Sequence, residues 1–126
     1  MVTVREMMNK KVVCVKPEAS VKKICQLLTK NNVSGVPVIN SKKEVLGFVS
    51  ERDITAAVTK PNFFKKLAKD IMRKQLTVVE DKTSLNEVSL IFSNEPFRHL
   101  PVVKNGKLVG MISRKDIINQ MLGHYY

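Results

Sequence analysis

Tryptophan is absent from this sequence, histidine and cysteine appear twice each, and 11 acidic residues stand against 22 basic ones. Each shortage excludes something. Cys14 and Cys25 fall short of the roughly four nitrogen or sulfur ligands of a zinc site, and of the cysteine density of a disulfide framework. Both lie in apolar-patterned segments and read as buried thiols of a reducing compartment. The histidines are His99 and His124, the latter close to the chain end. They leave no Ser/His/Asp or Cys/His arrangement, and no Gly-rich phosphate loop or carboxylate pair in a catalytic context replaces one. The expectation is a non-catalytic protein without a metal or a catalytic cofactor. No apolar run approaches the ~20 residues of a membrane helix. Met1–Lys11 is charged where a secretory signal would be apolar, so a cytoplasmic location without a membrane partner is expected.

What is present is a globular composition of 126 residues, 44% hydrophobic and 26% charged, long enough for one compact module. The formal net charge of +11 attracts anions: nucleotides, nucleic acid or acidic protein faces. A lysine-rich solvated surface accounts for it equally well. A basic nucleic-acid-binding module is therefore the alternative function, although Phe48, Phe63, Phe64, Phe92, Phe97, Tyr125 and Tyr126 form no stacking platform or recognition motif in sequence.

The chain repeats itself. At an offset of 64, Arg5-Glu6-Met7-Met8 lies on Lys69-Asp70-Ile71-Met72, Val15 on Val79, Ser20 on Ser84, and Pro37-Val38 on Pro101-Val102. One residue is lost in the loop after Asn40, and at 63 Gly47 meets Gly110, Ser50 meets Ser113, and Asp53-Ile54 meets Asp116-Ile117. Val4–Thr55 thus aligns with Ala68–Ile118 through a single gap.

Both copies carry the same local signals. Ser20 and Ser84 are N-caps, Ser84-Leu-Asn-Glu87 being a capping box, and apolar residues follow at helical spacing. Gly35–Ile39 and His99–Val103 are β-rich, with prolines that suit an edge or strand start. Asn105-Gly106 is a hairpin turn ahead of Leu108–Ile112, and Val45–Val49 is the matching return strand. Short strands at Val12–Val15 and Leu76–Val79 precede the first helices, and second helices begin at Ser50 and Ser113. The fold class is mixed α/β (α+β), two β-α-β-β-α units, with domains 1–60 and 68–126 and a linker at 61–67 marked by Lys60-Pro61-Asn62. One open apolar sheet face per unit predicts packing of the two around a pseudo-twofold axis, with related grooves. Asn62-Phe-Phe-Lys-Lys-Leu-Ala-Lys69 can be read as a membrane-surface helix, but it is too short to anchor well, and its phenylalanines are expected to pack on the module.

Two pairs of segments can carry chemistry. Gly47-Phe-Val-Ser-Glu-Arg-Asp53 and Gly110-Met-Ile-Ser-Arg-Lys-Asp116 each read strand, Ser-x-x-Asp, helix. Ser-x-x-Asp is a capping arrangement. The same geometry also makes an anion site from free helix N–H groups, the serine hydroxyl and nearby Arg or Lys, with an aspartate able to accept from a vicinal diol. The two readings are compatible. In Gly35-Val-Pro-Val and His99-Leu-Pro-Val, proline removes a donor and glycine a side chain, which leaves backbone bare for a flat ligand. An irregular sheet edge reads the same way.

With "SGVPVI…VLGFVSERDI" and "FRHLPVV…LVGMISRKDI", and the lead-ins "VREMMNKKVVCVKPEASV" and "AKDIMRKQLTVVEDKTSL", the chain resembles a tandem pair of cystathionine β-synthase (CBS) domains, a Bateman module. The resemblance implies a regulatory sensor that binds AMP, ADP, ATP, S-adenosylmethionine or NAD in clefts between the copies and signals to a separate effector protein. It implies that Asp53 and Asp116 hold ribose hydroxyls, and that Ser50 and Arg52, and Ser113, Arg114 and Lys115, meet phosphate, with Arg98 in reach. It places the base between Val13 and Gly35-Val36-Pro37, and between Thr77 and His99-Leu100-Pro101. Val13 lacks the Thr77 hydroxyl and His99 replaces Gly35, so the clefts are expected to be unequal. The resemblance also favours a homodimer through the second helices, and Phe63, Met121, Leu122 and Tyr125 are the apolar residues expected at the surface.

Overall fold

The computed structural model describes residues 1–125. Tyr126, and the side chains of His124 and Tyr125, lie outside what is described. The first repeat runs α1 (Val4–Met7), α2 (Val21–Asn31), β1 (Gly35–Ile39), β2 (Val45–Ser50) and α3 (Glu51–Val58). A 3-10 turn, Phe63–Lys65, follows in the connector. The second repeat runs α4 (Ala68–Ile71), β3 (Val79–Glu80), α5 (Leu85–Asn94), β4 (His99–Lys104), β5 (Lys107–Ser113) and α6 (Arg114–Tyr125). The mixed α+β class and the helix–hairpin–helix order of each copy agree with the sequence. The one-turn helices α1 and α4 were not among the expected elements.

The local causes are those the residues announce. The Ser20 and Ser84 hydroxyls accept the Lys23 and Glu87 N–H groups, each at 3.1 Å. Asn32 closes α2 in the left-handed region at φ 51°. Asn105 (φ 52°) and Gly106 (φ 78°) both take positive φ, which lets two residues join β4 to β5. In the first copy, the extra residue is accommodated by Asn40, whose Oδ1 accepts the Lys42 and Glu44 N–H groups, both at 2.9 Å.

The first strands are shorter than expected, and the prolines are the reason. Val15 makes a single parallel bridge to Val38, with Val15 N donating to Pro37 O at 3.0 Å and Ile39 N to Val15 O at 2.9 Å. In the second copy, Val79 and Glu80 pair with Val102 and Val103. A parallel ladder continued toward Val13 and Thr77 would need the N–H of residues 37 and 101, and both are proline. Pairing therefore stops, and among the described residues no donor reaches Val13 O or Thr77 O. These strands, expected at Val12–Val15 and Leu76–Val79, reduce to Val15 and to Val79–Glu80.

By contact the chain divides into two compact units, here called inner and outer for their place along the sequence. The inner unit is Val13–Leu76; the outer is Met1–Val12 with the residues from Thr77 onward. Each therefore contains the opening helix of the other repeat. In the outer unit, Val4 N donates to Thr83 O (2.8 Å), Arg5 N to Asp81 O (2.9 Å), and Asn9 and Met111 exchange two bonds. In the inner unit, Ala68 N donates to Ala19 O (2.7 Å), Lys69 N to Pro17 O (3.0 Å), and Arg73 and Phe48 exchange two. At the same offsets these are the same bonds. The inner core gathers Val15, Ile24, Leu28, Val36, Val38, Val49 and Ala68. The outer core gathers Val4, Met7, Val79, Val88, Phe92, Leu100, Val102 and Ile112. Cys14 and Cys25 are free thiols and only half-buried, not the buried pair expected.

Candidate functional site

In the inner unit, β2 passes into α3 with no loop. Ser50 is the last residue of the strand and the N-cap of the helix. Its hydroxyl accepts the Asp53 N–H at 3.2 Å. Asp53 Oδ2 accepts both the Ser50 N–H and the Ser50 hydroxyl, each at 2.8 Å. The outer unit repeats this where β5 meets α6: Asp116 Oδ2 accepts from Ser113 N (2.8 Å) and Ser113 Oγ (3.1 Å), and Ser113 Oγ accepts the Asp116 N–H (3.3 Å). The capping arrangement is thus real in both copies. It uses one carboxylate oxygen; among the described residues, no hydrogen bond reaches Oδ1 of either aspartate.

The sheet register brings the second pair of segments to the first. Gly35 lies opposite Ser50, and His99 opposite Ser113. Val36 and Leu100 send their side chains into the two cores, so only their backbone is left for a ligand. Pro37 and Pro101 are buried. Val13 is half-buried and packs against the inner core, while Thr77 is exposed. Arg52, Arg98 and Lys115 are exposed. Arg114 is committed elsewhere: its Nη2 donates to the carbonyl oxygens of Phe92 and Glu95, both at 2.9 Å, tying down the end of α5.

Gly35 is not the bare backbone its lack of a side chain suggested. A Cβ there would lie 2.5 Å from Phe48 Cε1 and 2.8 Å from Cζ, so the phenylalanine ring fills the space. At the matching places the outer unit has His99 and Met111. Bulk has therefore been redistributed between a facing pair of strands.

The sequence reading missed Arg73. Its Nε lies 3.4 Å from Asp53 Oδ2, with the arginine side chain 53% exposed and the aspartate 14%. Phe48 holds the Arg73 backbone through bonds of 3.0 and 2.9 Å. The offset of 64 pairs Arg73 with Asn9, whose Oδ1 accepts the Lys11 N–H. Among the described residues, no group of three or more His, Cys, Asp or Glu side chains could hold a metal. No described helix is long and apolar enough to cross a membrane.

Two copies of this strand–cap–helix segment define a paired-repeat protein, and the chain belongs to the CBS domain family, whose model matches residues 4–60 and again 68–123. It is 30% identical to CBSX2 in a crystal structure in complex with AMP; the two cover each other over 100% of both chains with a TM-score of 0.92. A crystal structure of the CBS-pair protein CBSX2 from Arabidopsis thaliana superposes with a TM-score of 0.88, over 98% of this chain and 96% of that one at 30% identity. An uncharacterized 17.7 kDa protein of Acidianus ambivalens is 32% identical over 120 residues, 94% of this chain and 73% of its own length. The inosine-5′-monophosphate dehydrogenase of Aquifex aeolicus is 33% identical over 110 residues, but the match spans only 22% of that enzyme. What this chain shares with the dehydrogenase is thus a small part of its length.

Proposed function

We propose that this chain is a regulatory module that binds an adenine nucleotide and passes its occupancy to a partner protein. The observation that carries the reading is the divided use of Asp53 and Asp116: each caps its helix through Oδ2 and keeps Oδ1 for another donor. A ribose diol supplies such donors. Ser50 with Arg52, and Ser113 with Lys115 and Arg98, are the donors assigned to phosphate in this reading. Val13 O and Thr77 O, deprived of a donor by the prolines, suit the exocyclic amino group of adenine. The relative crystallised with AMP supports the same ligand class here. Arg114, held by two carbonyl oxygens, contributes mainly by fixing the start of α6.

Self-association through the second helices is part of the proposal. Val58 on α3, and Ile118 and Leu122 on α6, are at least half exposed and supply apolar surface there. Nucleotide and partner then couple through a difference in affinity between two states. The test is thermal unfolding against AMP, ADP, ATP, S-adenosylmethionine and NAD. A ligand at about 100 times its dissociation constant adds about 2.7 kcal/mol of stability. A shift with at least one of the five is expected, and none with any overturns the proposal.

A further inference from the structure

The repeats provide an internal control. The two strand–Ser-x-x-Asp–helix segments have matching caps, yet a guanidinium stands on the carboxylate of one and not of the other. Arg73 Nε is 3.4 Å from Asp53 Oδ2. Its equivalent, Asn9, carries no charge, and no Arg or Lys pairs with Asp116 among the described residues. Both positions are fixed in the same way. Residues 9 and 73 each exchange two backbone bonds with the facing strand, at Met111 and Phe48. A built Cβ on Gly110 or Gly47 would crowd the Asn9 carbonyl at 3.0 Å or the Arg73 carbonyl at 2.9 Å. The side chains of 9 and 73 therefore start from matching backbone anchors, and at this position the half-sites differ in charge.

That charge sits at a particular place. A carboxylate that receives a ribose diol lies against the 2′ and 3′ oxygens. Put a phosphate on either oxygen, and a bare carboxylate repels it. A guanidinium beside the carboxylate offsets the repulsion and offers donors suited to phosphate. Only Nε of Arg73 is engaged with Asp53, and the side chain is half exposed, so its remaining N–H groups can be reached.

We propose that Arg73 determines ligand specificity in the inner unit: the Asp53 half-site accepts an adenosine phosphorylated on the ribose 2′ or 3′ oxygen, whereas the Asp116 half-site takes the unmodified diol. The proposal rests on the adenine-nucleotide reading above. It names a chemical class for one half-site and assigns the inequality of the two to residue 73 against residue 9.

The test is calorimetric titration of the full chain with adenosine 3′-monophosphate and adenosine 5′-monophosphate. In an Asp116→Ala background, which leaves the Asp53 half-site, Arg73→Asn is expected to lower the affinity ratio of the 3′ over the 5′ isomer about tenfold, the weight of one charge-assisted hydrogen bond. In the otherwise unchanged chain, the exposed Asn9 replaced by Arg is expected to raise the same ratio. This second variant leaves both caps intact, so it reads the proposal even if Asp116→Ala folds poorly. A ratio that moves by less than about twofold in the Arg73 or the Asn9 variant overturns the assignment of Arg73 while leaving the nucleotide reading in place. Failure of both isomers to bind the unchanged chain overturns the two together.

Discussion

One methyl group on Gly47 should loosen the lead-in segment from β2. Built onto the backbone, the Cβ of Gly47→Ala lies 2.5 Å from Met72 Sδ and 2.9 Å from Arg73 O. The thioether is flexible and can swing away. The carbonyl cannot move alone, because Phe48 N donates to it at 3.0 Å and Arg73 N donates back to Phe48 O at 2.9 Å. Opening that contact displaces residues 72–73. Overpacking of this kind costs about 1–3 kcal/mol, and each weakened backbone bond adds up to about 1 kcal/mol. The expected loss is about 2–4 kcal/mol, a fall of roughly 10 °C in Tm for a chain of this size. Gly123→Ala is the control: among the described residues, nothing lies within 4 Å of its Cβ. In a helix this change is expected to raise stability by about 0.5–1 kcal/mol. Urea unfolding gives the energies, and hydrogen exchange locates them, since the Phe48 and Arg73 amides should lose protection before those of β4 and β5. A Gly47→Ala chain that melts within about 2 °C of its parent would refute the argument. So would a large loss that leaves those two amides protected.

Two further outcomes follow from the comparison of copies. Lys23 occupies the position where the second copy has Glu87, whose Oε1 accepts the Ser84 hydroxyl at 3.1 Å, and the first turn of α2 holds no acidic residue. Lys23→Glu should therefore stabilise the protein by about 0.5–1 kcal/mol by supplying the missing carboxylate at the positive end of the helix, measured by urea unfolding. Arg114→Ala should cost about 1–2 kcal/mol, since it frees the Phe92 and Glu95 carbonyls. Arg114→Lys should not restore the loss, because its side chain is one atom shorter than the path to Nη2, which donates both bonds.

The sequence made the helices and hairpins legible because their signals are local: Ser20, Ser84, Asn105-Gly106 and the apolar stripe of α2 each act within a few residues. It overstated the first strands because a β-rich run says nothing about its neighbour, and here the neighbour's prolines end the ladder at Val15 and Val79. Gly35 was misread for a related reason. A missing side chain looks like open space until the register brings the Phe48 ring over it. The Ser-x-x-Asp segments were found from their spacing, and the structure shows which carboxylate oxygen each cap consumes. Arg73 was within reach, since the offset of 64 sets it against Asn9. Its meaning depends on a 3.4 Å approach to Asp53 that no local pattern encodes.

The exchange of α1 and α4 between the repeats has a consequence for ancestry. A chain of one repeat that kept these bonds would need a second chain to dock its opening helix, so its closed form would depend on concentration. Joining two repeats makes the exchange intramolecular, at an effective concentration set by the connector rather than by the cell. Gene fusion would then have turned a swapped dimer into a monomeric unit of assembly. It would also have released the two copies to diverge, and Arg73 against Asn9 records where they did.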